Sequence, residues 1–331
     1  MPPLATPDLD RALLLAHLES FDAAHSLGFA ISHITSRIRT GLLIILVSDL
    51  FDSDGGVSPT AAWRDVQRLL TYVYVQATKV AQEYDRVLMD VDVLLKGTTD
   101  KLPDGLGEGT QRLFRIAGEP QLRVPLPRSV TSLPHTWLPP GGPAYVSSSY
   151  TQPRSQTGTS DSSMPSLYPV VALGGTFDHL HAGHKILLSM SAWIAAEKVI
   201  VGVTDDELLV NKSNKEVLEK LPDRIARVRG FLELFKPGLV YDIVPIKDVY
   251  GPTAWDPNIQ ALVLSQETVS GGASIDKLRR EKSLPPLRTF VIDVISSTET
   301  SLDNADAELL KQTKMSSTFI RQWIARRSAK S

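Results

Sequence analysis

The sequence predicts an α/β protein: a Rossmann-like parallel sheet with helices on both faces, preceded by a smaller α/β domain. From residue 167 onward, apolar β-rich runs alternate with stretches of helical periodicity. Between the first such run and the first such helix lies GGTFDHLHAGH, a glycine pair followed by three histidines. A Ser/Pro-rich stretch separates this half from an earlier strand-and-helix pattern. In open parallel sheets, ligands bind beyond the carboxyl ends of the strands, so the loops that follow strands are where chemistry is expected.

Taken in order, Leu13, Leu14, Leu18, Phe21, Ala24 and Leu27 recur at helical spacing, which predicts a helix from Leu9 to about Thr40. The continuous run from Gly41 to Val47 predicts a buried strand and is far too short to span a membrane, which takes roughly 20 residues. Thr60 to about Tyr84 carries Val66, Leu69, Leu70, Val73 and Val80 on one side and predicts a second helix, with a strand over Arg86–Leu95. Residues 1–125 thus form an α/β domain without an assignable motif. Residues 126–166 hold too few apolar positions to offset the entropy of ordering and predict a flexible linker. Residues 167–331 form a second α/β domain: strands over Leu167–Leu173, Lys198–Val203, Leu239–Ile246, Ala261–Leu264 and Thr289–Ile295, and helices over His184–Ala196 and Pro222–Phe235.

Composition narrows the function. Lys+Arg 35 against Asp+Glu 37 leaves no global field to attract nucleic acid or a membrane surface. The absence of cysteine excludes disulfides, thiolate metal sites and thiol catalysis. The opening MPPLATPDLD lacks the basic leader and apolar core of a secretory signal, so a cytoplasmic location is expected.

In the loop after Leu173, Gly174 and Gly175 permit close approach of a ligand to the backbone, and the helix that follows offers unpaired amides to an anion. His181 and His184, three apart, place both imidazoles on one side of the first helical turn. Near the other end, KMSSTFIRQW opens a second helix with Ser316, Ser317 and Thr318, and Arg321 lies one turn later. No Asp/Glu cluster marks a protein-built metal cage, and the histidines are not taken for zinc ligands.

The joint pattern GGTFDxxHxGH resembles the HxGH nucleotidyltransferases, and more narrowly the eukaryotic type of phosphopantetheine adenylyltransferase. The similarity continues through GVTDDELLVNK, FKPGLVYDIVPIKDVYGPTAWDP, LVLSQETVSGGASIDKLR and KMSSTFIRQWI, covering about residues 168–326. It implies transfer of AMP from ATP to 4′-phosphopantetheine, with ATP as substrate, Mg2+ carried by its phosphates, and no nucleic-acid partner. A complex with other enzymes of coenzyme A synthesis is a further expectation. No GxxxxGK[ST] loop occurs, so no dephospho-coenzyme A kinase domain is expected.

The same resemblance implies residue roles. His184 would donate to the α-phosphate and to charge developing in the transition state, and His181 would contact the β- or γ-phosphate. Thr176 would hold both the acceptor phosphate and the nucleotide, with Gly175 and the Phe177 amide beside it. Lys212, or Lys215 close by, would orient the nucleophilic phosphate. Ser316, Ser317, Thr318 and Arg321 would bind ATP phosphates, assisted by Lys314. Gln266, Glu267 and Thr268 would lie near adenine and substrate, Gly271 and Gly272 would keep that loop open, and Arg279 would reach a substrate phosphate. Asp178 is read as a side-chain cap of the turn and His179 as exposed and incidental.

Rival readings are another HxGH transferase, either a cytidylyltransferase or a nicotinamide mononucleotide adenylyltransferase, and a non-catalytic scaffold. KMSST also resembles the KMSKS loop of class I aminoacyl-tRNA synthetases, but the lysine after the serine is missing.

Overall fold

A computed structural model describes residues 9–141, 164–292 and 316–329. The chain divides into two compact units, Met1–Ser166 and Leu167–Ser331.

The first unit opens with a strand, β1 (Leu9–His17), where helical spacing predicts a helix. Ala12 through Ala16 are all buried, and a strand in mid-sheet with both faces covered needs an unbroken apolar run, which overrides the local periodicity. The helical spacing is satisfied only later, by a 3-10 turn (Phe21–Leu27) and α1 (Gly28–Arg37). There follow β2 (Ile38–Val47), α2 (Trp63–Glu83), β3 (Asp90–Lys96), β4 (Arg112–Ile116), α3 (Arg128–Thr131) and β5 (His135–Leu138). The five strands are parallel, in the order β3-β2-β1-β4-β5.

The expected linker therefore starts too early. Val130 and Leu138 are buried, so α3 and β5 complete the first sheet, and farther along Thr60 donates to the carbonyl of Pro165 at 2.8 Å. The rest of that reading, residues 142–163, lies outside the described residues.

The second unit runs β6 (Tyr168–Gly175), α4 (Ala182–Trp193), β7 (Ala195–Thr204), α5 (Leu221–Phe235), β8 (Val240–Ile246), β9 (Ala261–Ser265), α6 (Val269–Glu281), β10 (Arg288–Ile292) and α7 (Ser317–Ser328). Its parallel order is β10-β9-β6-β7-β8. The alternation expected from the sequence is present; the end of the Thr289–Ile295 run and Lys314 fall outside the described residues.

Burial on both faces explains why these strands lack polar alternation. Val170, Ala172, Ile200, Leu262 and Leu264 pack with Ile275 of α6 on one face. Val171, Leu173, Val199 and Val201, on the other, are covered by α4 and α5. The chain winds from β6 outward to β8, then returns to β9 on the opposite side of β6. Successive loops at the carboxyl ends of β6 and β9 thus part company, leaving the crevice where ligands bind in such sheets.

Leu14 is fully buried in the middle of β1. Leu14→Ala should cost about 2–5 kcal/mol by urea unfolding of the first unit's signal; a change within experimental error would show that β1 is not the centre of that core.

Candidate active site

The turn between β6 and α4 stands at that crevice and is tightly wound. Phe177 and His179 adopt φ of 52° and 44°, a left-handed conformation that costs a non-glycine residue of order 1–3 kcal/mol. The compensation is visible. The Phe177 ring is fully buried beneath Gly175, where a Cβ would stand 3.1 Å from the ring, so glycine lets the ring pack closely without displacement. The ring also meets the imidazole of His184, with centroids 5.3 Å apart.

Asp178 is fully buried and its carboxylate is saturated: Oδ1 accepts the Glu219 amide at 2.9 Å and Oδ2 pairs with Arg321 at 2.6 Å. His179, expected to be exposed, is held instead. Its amide donates to Glu219 Oε2 at 2.8 Å, and its Nε2–H donates to the Val217 carbonyl at 2.7 Å. The left-handed backbone at this residue needs such anchoring, which is why the side chain turns inward.

Arg224 completes the brace. Fully buried, it donates from Nη1 to the carbonyls of Thr176 (2.6 Å) and Thr204 (2.9 Å), from Nε to that of Glu219 (3.0 Å), and from Nη2 to Asp206 (2.5 Å). Thr176, at the exit of β6, and Thr204, at the exit of β7, are thereby locked together. Thr204 adds a bond from its hydroxyl to the Gly175 carbonyl at 3.2 Å.

The two signature histidines stack, with ring centroids 3.9 Å apart and planes at 26°. His181 caps α4: its Nδ1 accepts the Gly183 amide at 3.2 Å, which leaves the proton on Nε2 as a donor. Burial pushes the His181 pKa down to about 4, against the opposing pull of Asp178. Burial, with the neighbouring His181 second, also holds His184 well below the ordinary imidazole value. Both rings are neutral near pH 7 and act as N–H donors. His184 Nδ1 is buried without a partner. An unmet lone pair is tolerated better than an unmet N–H, which favours Nε2 as the protonated nitrogen of His184 too.

The start of α7 sits against the same turn. Ser316 caps α7 by accepting the Phe319 amide at 3.2 Å, and Ser317 donates its hydroxyl to the Asp178 carbonyl at 2.8 Å. The first-turn amides of α7 are thus brought to the β6–α4 turn. Arg321, expected to bind ATP phosphates, is held by protein groups. The residue is 2% exposed, and its guanidinium donates to Asp178, to the Ser213 carbonyl from Nε (2.9 Å) and to Thr318 Oγ1 (3.3 Å).

Lys212 and Lys215 are both exposed on the loop between β7 and α5, on either side of the Ser213 carbonyl that Arg321 holds. Gln266, Glu267 and Thr268 follow β9, the strand beside β6, but the Thr268 hydroxyl is used in a capping box with Ser265. Arg279, expected to reach a substrate phosphate, is buried as well. It is 1% exposed and donates to the carbonyls of Thr253 (2.7 Å), Asp256 (3.0 Å) and Pro285 (2.8 Å), fastening α6 to the turn after β8. Gly271 and Gly272 do not open a loop either. They lie inside α6, and a Cβ on Gly272 would stand 2.5 Å from Leu264 Cδ1, so glycine here lets helix and strand pack closely.

Among the described residues, Asp178, His179 and Glu219 are the one group close enough to share a metal ion. Each is committed elsewhere: Asp178 to Arg321, His179 to Val217, and Glu219 to the His179 amide and to Arg227 at 3.1 Å. The group is a hydrogen-bond knot and offers no vacant ligand set.

Sequence reasoning missed Arg224 and Glu219. Arg224 was detectable: with Val228, Phe231, Leu232 and Phe235 it falls on the apolar stripe of α5, where a charged residue must be paired. Glu219 carries no such mark.

Residues 172–323 match the Cytidylyltransferase-like family. A phosphopantetheine adenylyltransferase of Methanopyrus kandleri is 38% identical over 125 residues, which cover 38% of this chain and 78% of that protein. The chain belongs to the phosphopantetheine adenylyltransferase family. An adenylyltransferase of the same description from Pyrococcus furiosus is 37% identical over 40% of this chain and 82% of its own length. The phosphopantetheine adenylyltransferase of Saccharomyces cerevisiae is 48% identical over 132 residues, which are 40% of this chain and 43% of the yeast protein, so the chain spans less than half of that relative. The matched region in this adenylyltransferase family member is the second unit, where the whole site lies.

The His181 pKa of about 4 is below the unfolded value near 6.5, so between these values the unfolded state binds more protons. The contribution of the neutral ring to stability is complete above pH 6.5 and is lost as pH falls toward 4. Ring-nitrogen NMR should show His181 titrating near pH 4 with Nε2 protonated above it; a midpoint of 6.5 or higher would contradict this burial.

Proposed function

We propose that this protein transfers the adenylyl group of ATP to 4′-phosphopantetheine, giving dephospho-coenzyme A and pyrophosphate, with the chemistry in residues 167–331. The observation that carries the reading is the convergence of two helix N-termini, those of α4 and α7, on one turn at the strand-order switch point, beside two uncharged imidazole donors. Amides and dipoles of this kind favour a polyphosphate over any uncharged substrate.

In this mechanism an oxygen of the acceptor phosphate attacks the α-phosphorus, and the bond from the α-phosphorus to the α,β-bridging oxygen breaks as pyrophosphate leaves with that oxygen. The nucleophile is already anionic, so no general base is required; alignment and charge stabilisation are. His184 Nε2–H donates to the α-phosphate oxygens as their charge grows, and His181 Nε2–H serves the outer phosphates. Neutral donors suit the task, since they do not hold pyrophosphate as tightly as cations would. Thr176, fixed by Arg224, and the lysine at 212 or 215 place the acceptor phosphate. Mg2+, in this reading, is carried by the nucleotide's own phosphates and water, because the Asp178–His179–Glu219 group is committed to protein partners. A cytoplasmic location and a complex with other enzymes of coenzyme A synthesis belong to the same proposal; no helix among the described residues is long and apolar enough to cross a membrane.

The test is pyrophosphate release by the full chain. ATP with Mg2+ and 4′-phosphopantetheine should turn over, whereas CTP with phosphocholine or glycerol 3-phosphate should not; the reverse pattern sinks the assignment. His184→Ala should lower kcat by about 10²–10³ while ATP affinity changes less than about tenfold. Equal losses in both would make His184 a binding residue only.

A further inference from the structure

We infer that Arg321 is a positioning residue for the acceptor phosphate and not a ligand of the ATP phosphates. This rests on the adenylyl-transfer reading above and assigns its Arg321 a different task. The segment between β7 and α5 carries the exposed Lys212 and Lys215 and has little apolar anchorage of its own, since Leu208 and Val210 are exposed and only Leu209 is buried. A loop with so few buried contacts takes its position from polar ties.

Toward its end the loop is tied by the Val217 carbonyl and the Glu219 amide, and elsewhere by two buried arginines. Arg224 grips both ends of the loop, through Asp206 at one and the Glu219 carbonyl at the other. Arg321 grips the middle, donating from Nε to the Ser213 carbonyl at 2.9 Å, one residue from Lys212 and two from Lys215. The same guanidinium is pinned by Asp178 at 2.6 Å and belongs to α7, whose Ser317 is bonded to the Asp178 carbonyl. A single side chain therefore sets the lysine loop against the HxGH turn and against the first turn of α7.

Only a guanidinium can do this. Its Nε and Nη1 point in divergent fixed directions, one to a backbone carbonyl and one to a carboxylate, whereas an ammonium is a single point that serves one of them well. Arg321→Lys keeps the charge opposite Asp178 and drops the grip on Ser213. The loop then loses its central tie while the α7 amides stay in place.

The experiment measures ATP and 4′-phosphopantetheine binding separately by calorimetry on the full chain, together with turnover. Arg321→Lys is expected to weaken 4′-phosphopantetheine binding and raise its KM tenfold or more, with ATP binding within about twofold of wild type. A cycle with Lys212→Ala and Lys215→Ala adds a reading that a general loss of stability would not give: in the background lacking the lysine that holds the acceptor, Arg321→Lys should cost nothing further. If Arg321→Lys does not fold, the paired change Asp178→Asn with Arg321→Gln removes both buried charges together and carries the same expectation. An ATP-selective loss, equal losses for both ligands, no loss for either, or full additivity with both lysine variants would each overturn the inference. Wild type that binds both ligands but releases no pyrophosphate would instead fail the transfer reading, leaving the binding comparison valid.

Discussion

The carboxylate of Asp178 is the joint on which the site turns. It is fully buried, and a buried carboxylate is tolerable only when its oxygens are met by donors and its charge by a cation. Both conditions are filled from distant parts of the chain, the Glu219 amide on one oxygen and Arg321 on the other. Three segments that share no sequence neighbourhood, the β6–α4 turn, the end of the lysine loop and the start of α7, therefore have one arrangement that satisfies the charge. The left-handed backbone at Phe177 and His179 is held within that arrangement. Arg224 extends the same logic by tying the exits of β6 and β7 to each other. The result is a turn whose donors are fixed by the fold, which is what the proposed transfer, limited by alignment and charge stabilisation, requires.

Much of the second unit was legible in the sequence, because a parallel sheet covered on both faces leaves a strong mark: continuous apolar strands, helical periodicity between them, and glycines at the first strand exit. GGTFDHLHAGH sits where that pattern places it, and Asp178 is structural as read. The partners of the arginines were not legible, for a physical reason. A sequence motif records that Arg321 follows a serine-capped helix start, but the choice between a phosphate and a buried carboxylate as its partner depends on what lies across the crevice, 143 positions away. The partners of Arg279 are hidden in the same way, since they are backbone carbonyls and any residues could supply them. The opening helix of the first unit was misread because an apolar run that is buried on both sides carries several periodicities at once, and the neighbouring strands β2 and β4 decide between them.

The two units show that strand order alone does not make a phosphate site. Both sheets follow the same order, with the first strand central and the fourth beside it. In the first unit the exit of the central strand reads HLES, and the crevice position is filled by Glu119, whose carboxylate accepts the His17 amide at 3.0 Å and whose pKa is pushed up to about 7 by burial. No glycine pair is present there and no helix of eight or more residues follows directly. Topology supplies the crevice in both; the residues at the strand exit decide what it holds.

The central claim is that the β6–α4 turn is held by buried polar bonds in the ligand-free protein. Amide hydrogen exchange reads this directly at His179 and Glu219, whose N–H groups donate to Glu219 Oε2 and Asp178 Oδ1. Both amides should exchange at least about a hundredfold more slowly than in an unstructured peptide before any nucleotide is added. Exchange at the unstructured rate, with protection appearing only on addition of ATP, would show that the ligand builds the site and would contradict the account.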